Sequence, residues 1–109
     1  MIVNDLVKNE KFVLLNKVTN LSHEIKNVYI CDLLSWVMAH AGSQCAWVTV
    51  QTHVNIVAVA VLLEMTCIIV PESIPVEEEI LIKATEENIP ILSTDKNSYE
   101  VARYLSYGE

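Results

Sequence analysis

The residues best suited to chemistry form a short polar run, Gln51, Thr52, His53 and Asn55, set between two apolar stretches. An amide, a hydroxyl and an imidazole at the start of a helix would meet an anion together with the unpaired backbone N–H groups there. Asp32 follows the β-branched run 28–31, and Ser93, Thr94 and Asp95 follow Ile91 and Leu92, so these too fall where a strand gives way to a loop. Such groups suit the holding of a small polar ligand. Acid or base catalysis by Asp32, His53 or Asp95 is the alternative, and no local signature couples any of them to a nucleophile. Capping and loop duty is the structural reading for the same hydroxyls and carboxylates.

Other chemistries are excluded by what the spacing lacks. A phosphate-cradling loop needs glycine, because only a residue without Cβ lets several backbone N–H groups close on one anion. Gly42 and Gly108 are the only two glycines, and neither follows a strand. Ordinary kinases and dinucleotide-dependent dehydrogenases are thereby ruled out. Cys31, Cys45 and Cys67 lie apart, and His23, His40 and His53 share no i, i+4 relation, so the expectation is no metal and no cofactor. Glu77, Glu78, Glu79, Glu86 and Glu87 read as a solvated helix face, with Glu79 and Lys83 spaced to pair.

The elements that must position these residues come from a chain of 109 residues, about one domain. Residues 1–32 carry four acids and four bases, residues 33–63 carry neither, and residues 64–109 carry ten acids against three bases. The net charge of −7 and the scattered Lys and Arg argue against nucleic acid and anionic membrane as partners. The uncharged stretch is broken by Gly42, Ser43, Gln44, Gln51, His53 and Asn55, which disqualifies it as a membrane span. Odd, buried-looking cysteines and an N-terminus without signal-peptide layout fit a cytoplasmic protein. A 52% hydrophobic content is high for a lone soluble domain and suggests a homodimer.

Periodicity predicts a helix over residues 2–9, strands over 12–15 and 28–31, and a helix over 33–41 capped by Asp32 and stopped by Gly42. The buried stripe of that helix would be Leu33, Leu34, Val37, Met38 and Ala41. A strand follows over 46–50. Next comes a helix over 54–64, N-capped by Thr52 and apolar all round, which requires cover from the sheet and from a partner subunit; its many valines leave one more strand as the competing reading. A strand over 67–70 leads to a helix over 76–88, with Pro75 near its first position and Glu77, Glu78 and Glu79 in its first turn. Ile91 and Leu92 form a last strand, and Asn97 with Glu100 a capping box for a helix ending near Gly108. The fold class is α/β: a three-layer α/β/α arrangement, with a mostly parallel sheet of about five strands and helices on both faces. Ligands of such folds sit at the carboxyl ends of the strands, here loops 51–55, 71–73 and 93–97.

Three stretches carry a family resemblance: YICDLLSWVMAH at 29–40, WVTVQTHVNIVAVAVLLEMTCIIV at 47–70, and ENIPILSTDKNSYEVARYL at 87–105. Together they make nearly the whole chain resemble a stand-alone DRTGG-domain protein. That family is similar to a domain attached to CBS domains in some inorganic pyrophosphatases, to the regulatory part of some phosphotransacetylases, and distantly to the non-catalytic domain of HPr kinase. The resemblance implies a dimerising regulatory module, common in anaerobic bacteria and often encoded near iron-only hydrogenase components. The namesake Asp-Arg-Thr-Gly-Gly string is absent, and the turn 51–55 stands in its place.

The expected function is a non-catalytic, ligand-sensing regulatory domain, a single unit over residues 1–109. It would bind a small anionic or nucleotide-like metabolite at the three loops and signal through a dimer face on the 54–63 helix. A structural adaptor for a hydrogenase, another redox complex or a signalling protein is the second reading, and a small enzyme using Asp32, His53 or Asp95 the third.

Overall fold

The computed structural model describes residues 1–108. Its elements in chain order are α1 (Val3–Val7), β1 (Val13–Leu14), β2 (Asn27–Ile30), α2 (Leu34–His40), β3 (Cys45–Val48), α3 (Asn55–Leu62), β4 (Cys67–Val70), α4 (Glu78–Glu86), β5 (Ile91–Ser93) and α5 (Ser98–Tyr107). The five strands form one sheet in the order β1-β5-β4-β3-β2. Neighbours from β2 to β5 pair in parallel, and β1 runs antiparallel along β5.

Side-chain alternation along the central strands divides the core in two. Cys45 and Trp47 of β3, Ile68 and Val70 of β4, and Ile91 of β5 pack with Val37, Ile56, Ala60, Ile80 and Ala84 beneath α2, α3 and α4. Ala46, Val48, Cys67, Ile69 and Leu92 face the other way, onto Val3 and Leu6 of α1 and Val101 of α5. The architecture is the expected three-layer α/β/α sandwich. Trp47 is fully buried, and its indole N–H donates to the Cys31 carbonyl at 2.9 Å, so the largest core side chain also satisfies its one polar group.

From β2 to β5 each crossover advances by one strand in the same direction, which is why α2, α3 and α4 share a face. The order never reverses among the parallel strands. A crevice opened by helices diverging to opposite faces is therefore missing, and any cleft at the carboxyl ends must be built from the loops themselves.

Several local expectations are corrected. Asp32 does not cap α2: Leu33 occupies that position with no side-chain cap, because the carboxylate is bonded to two donors on the neighbouring strand. Thr52 does not cap α3, whose N-cap is Val54; the chain turns through residues 51–54 before helical geometry begins. The α4 helix starts at Glu78, leaving Pro75 and Glu77 outside it. Of the stripe expected on α2 only Val37 is buried, while Leu33 is 62% and Met38 47% exposed, since this short helix lies beside the sheet edge. Gly42 is not the left-handed residue after α2; that role falls to Gln44 at φ 55°. The capping box of α5 forms as expected, with the Glu100 amide on the Asn97 side chain at 2.9 Å and its return bond at 3.1 Å.

Candidate functional site

The carboxyl edge of the sheet holds the residues singled out from the sequence as ligand-binding candidates. Asp32 extends β2, Gln51 to Asn55 follow β3, residues 71–73 follow β4, and Ser93 to Asp95 end β5. Since β4 lies between β3 and β5, the 51–55 and 93–95 loops are two strand spacings apart, about 10 Å. They form two neighbouring groups along one edge, not one cluster.

In the first group Asp32 Oδ1 accepts the Thr49 hydroxyl at 2.8 Å and the Val50 amide at 2.9 Å. Thr49 Oγ1 in turn accepts the Gln51 amide at 3.1 Å. Thr49 is only 1% exposed while Asp32 is exposed, so the pair clamps the strand ends through one carboxylate oxygen and shields the hydroxyl alone. His53 bends back over the start of α3, its Nδ1 accepting the Asn55 amide at 3.1 Å. The side chains of Gln51 and Thr52 make no hydrogen bond among the described residues. Five concavities of the surface lie elsewhere and do not include residues 51–55.

The second group has a concavity. A cleft of about 370 Å³ is lined by Glu10, Lys11, Val13, Ser73, Ser93, Thr94 and Asp95. Thr94 is buried and fully engaged: its hydroxyl donates to the Lys11 carbonyl at 2.8 Å and accepts the Lys96 amide at 3.3 Å. This bond carries the residues before β1 to the end of β5. Across the cleft, Glu72 and Ser73 adopt φ of 61° and 54°, two successive left-handed residues neither of which is glycine. Each such residue costs about 1 kcal/mol. The turn is held by the Glu72 amide on the Lys96 carbonyl and the Ser73 amide on the Thr94 carbonyl, both at 2.9 Å.

Sequence reading located Ser93, Thr94 and Asp95 but missed Glu10 and Lys11, which arrive only through the antiparallel pairing of Val13 with Ser93. Residues 71–73 form the loop that the sequence predicts, but the left-handed turn within it has no glycine to announce it. Cys31, Cys45 and Cys67 are free thiols, and no group of three or more His, Cys, Asp or Glu is gathered as a metal site among the described residues. Among the described residues no helix is long and apolar enough to cross a membrane.

The fold is similar to one seen in the crystal structure of the CBS and DRTGG domains of the regulatory region of Clostridium perfringens pyrophosphatase, complexed with its activator diadenosine tetraphosphate. The two agree with a TM-score of 0.68 at 16% identity, over 93% of this chain and 44% of that one. At that identity the likeness concerns the fold, and this chain spans less than half the length of its neighbour. Comparison with curated proteins finds no match. The family model of the DRTGG domain matches residues 5–107, so the chain belongs to the DRTGG domain family.

Proposed function

We propose that this chain is a non-catalytic regulatory module that binds a small anionic or nucleotide-like metabolite along the carboxyl edge of its sheet and acts through a dimer. The observation carrying this reading is the strained Glu72–Ser73 turn beside the cleft at Ser93, Thr94 and Asp95. Strain of this kind persists where the surroundings over-determine it, and it gathers at ligand sites and switches. Lys11 supplies a cation at the rim, and the nearby side chains of Gln51 and Thr52 supply uncommitted donors and acceptors. Support comes also from the pyrophosphatase regulatory region, which holds a nucleotide activator in a structure containing the same domain. Catalysis is disfavoured because Asp32 is committed to Thr49, His53 to its own turn, and Asp95 lies on a separate loop.

The dimer face in this reading is the outer side of α3. Ala58, Val61 and Leu62 point away from the core on a helix without a charged residue, and Leu62 is 64% exposed. An uncharged patch of this kind is complementary to itself, as a two-fold interface requires.

A thermal-shift screen with diadenosine tetraphosphate, ATP, AMP and phosphorylated metabolites tests the ligand. At a hundredfold excess over its dissociation constant a true ligand adds about 2.7 kcal/mol, which for a domain of this size moves Tm by roughly 10 °C or more. No shift with any of them removes the sensing role. A second reading, an adaptor subunit for a redox or signalling assembly, is favoured by two exposed apolar side chains, Leu33 at the N-cap of α2 and Trp36 on the helix. It predicts association with protein and no response to metabolites.

A further inference from the structure

A further concavity lies away from the carboxyl edge. It is a groove of about 600 Å³ between α4 and the segment that follows β1. Its apolar surface comes from Leu15, Val76, Leu81 and Ile82, the last 55% exposed. Glu78 and Glu86 stand along the α4 side, one on each side of Ile82 in sequence. Neither forms an ion pair among the described residues; Lys83 reaches Glu87 instead, at 3.8 Å. Lys17 is the one cation in the lining.

The far wall is fixed. Asn16 is buried, its amide N–H donating to the Ile89 carbonyl and its carbonyl oxygen accepting the Ile91 amide, both at 2.9 Å. One side chain thus satisfies the start of β5 and holds Leu15 and Lys17 in place beside the groove. A pre-formed apolar trough with an acidic wall is left open.

We propose that this groove docks a cationic amphipathic helix of a partner protein. Glu78, Ile82 and Glu86 recur every four residues, so the two carboxylates stand about 12 Å apart along α4 with an apolar side chain between them. A helix carrying Lys or Arg two turns apart, flanking an apolar stripe, meets this pattern with opposite charge and matching hydrophobicity. The occupant is basic because the α4 wall presents two unpaired carboxylates against the single cation Lys17 on the opposite wall, and the C-terminal half of this chain is strongly acidic. The inference is independent of the metabolite site, which lies on other loops.

The test is fluorescence anisotropy of a labelled 14-residue helical peptide, LKKLLKLLKKLLKL, and a control with every Lys replaced by Glu, against the intact chain. The Lys peptide binds and the Glu peptide does not. The pair Glu78→Gln and Glu86→Gln weakens binding roughly tenfold, and Ile82→Ser does so by a similar factor, while Glu10→Gln with Glu72→Gln on the far edge leaves it unchanged. Circular dichroism verifies that each variant is folded. Equal losses from the distant pair would reveal diffuse charge attraction, and indifference to Ile82→Ser would remove the apolar contact; either overturns the proposal. So does loss of self-association in Ile82→Ser, measured by sedimentation, which would assign the groove to a second copy.

Discussion

The Asp32 carboxylate accepts the buried Thr49 hydroxyl at 2.8 Å, fastening the end of the edge strand β2 to the end of β3. Asp32→Ala leaves that hydroxyl and the Val50 amide without their acceptor and lowers unfolding stability by about 1–3 kcal/mol. Asp32→Asn keeps a neutral acceptor and loses less. Urea denaturation at neutral pH separates the two, and equal midpoints for Asp32→Ala and the parent chain would show that the clamp contributes nothing.

Glu72 and Ser73 carry left-handed backbone without glycine, so glycine relieves strain there even though it loosens the unfolded chain. Ser73→Gly raises stability by about 0.5–1 kcal/mol. If the strain serves ligand binding, the same change weakens the response to a metabolite identified by thermal shift. A variant that is less stable than the parent would show that the turn is not strained.

Cys45 and Cys67 are fully buried, and burial pushes both thiols above the ordinary value of 9.0. For Cys67 the shift is large, with a smaller contribution from a charge on Cys45; for Cys45 a backbone hydrogen bond offsets part of it. Well below pH 9 both thiols are neutral in folded and unfolded chains alike. Above it the unfolded chain releases protons that the folded one retains, so stability falls as pH rises, by up to about 1.4 kcal/mol per pH unit for each thiol. Denaturation between pH 8 and 10.5 reads this slope, and Cys67→Ala reduces it. An unchanged slope would mean that Cys67 is not the group responsible.

Leu62 on α3 is the residue whose change should separate subunits. In the proposed dimer Leu62→Asp places two carboxylates across an apolar seam, giving monomers with an unchanged circular dichroism spectrum. Sedimentation equilibrium distinguishes this from a parent chain that is already monomeric, which would contradict the dimer.

Much of the fold was legible because the signals were local. Alternating β-branched runs and apolar helices gave the parallel sheet and its layers, and Asn97 with Glu100 announced the start of α5 by a capping box that needs only three residues of context. Asp32 is able to cap, but a sequence does not show which donors compete for it, and the winning donors lie seventeen and eighteen residues away; Thr52 misses the cap because the turn carries the helix start on to Val54. The site was half visible for the same reason. Thr94 could be located at a strand end, but its partner, the Lys11 carbonyl, is eighty-three residues distant. The Glu72–Ser73 turn stayed hidden because its left-handed conformation is imposed by the β5 loop and not by residue type.

The central claim, that the carboxyl edge of the sheet receives a nucleotide-like ligand, is met most directly by a titration of the ¹⁵N-labelled chain with diadenosine tetraphosphate followed by amide chemical shifts. The account predicts saturable shifts at Lys11, Ser73, Thr94 and Asp95, extending to Gln51 and Thr52, with the α4 groove unaffected. Saturable shifts confined to other surfaces, or none at millimolar ligand, would contradict it.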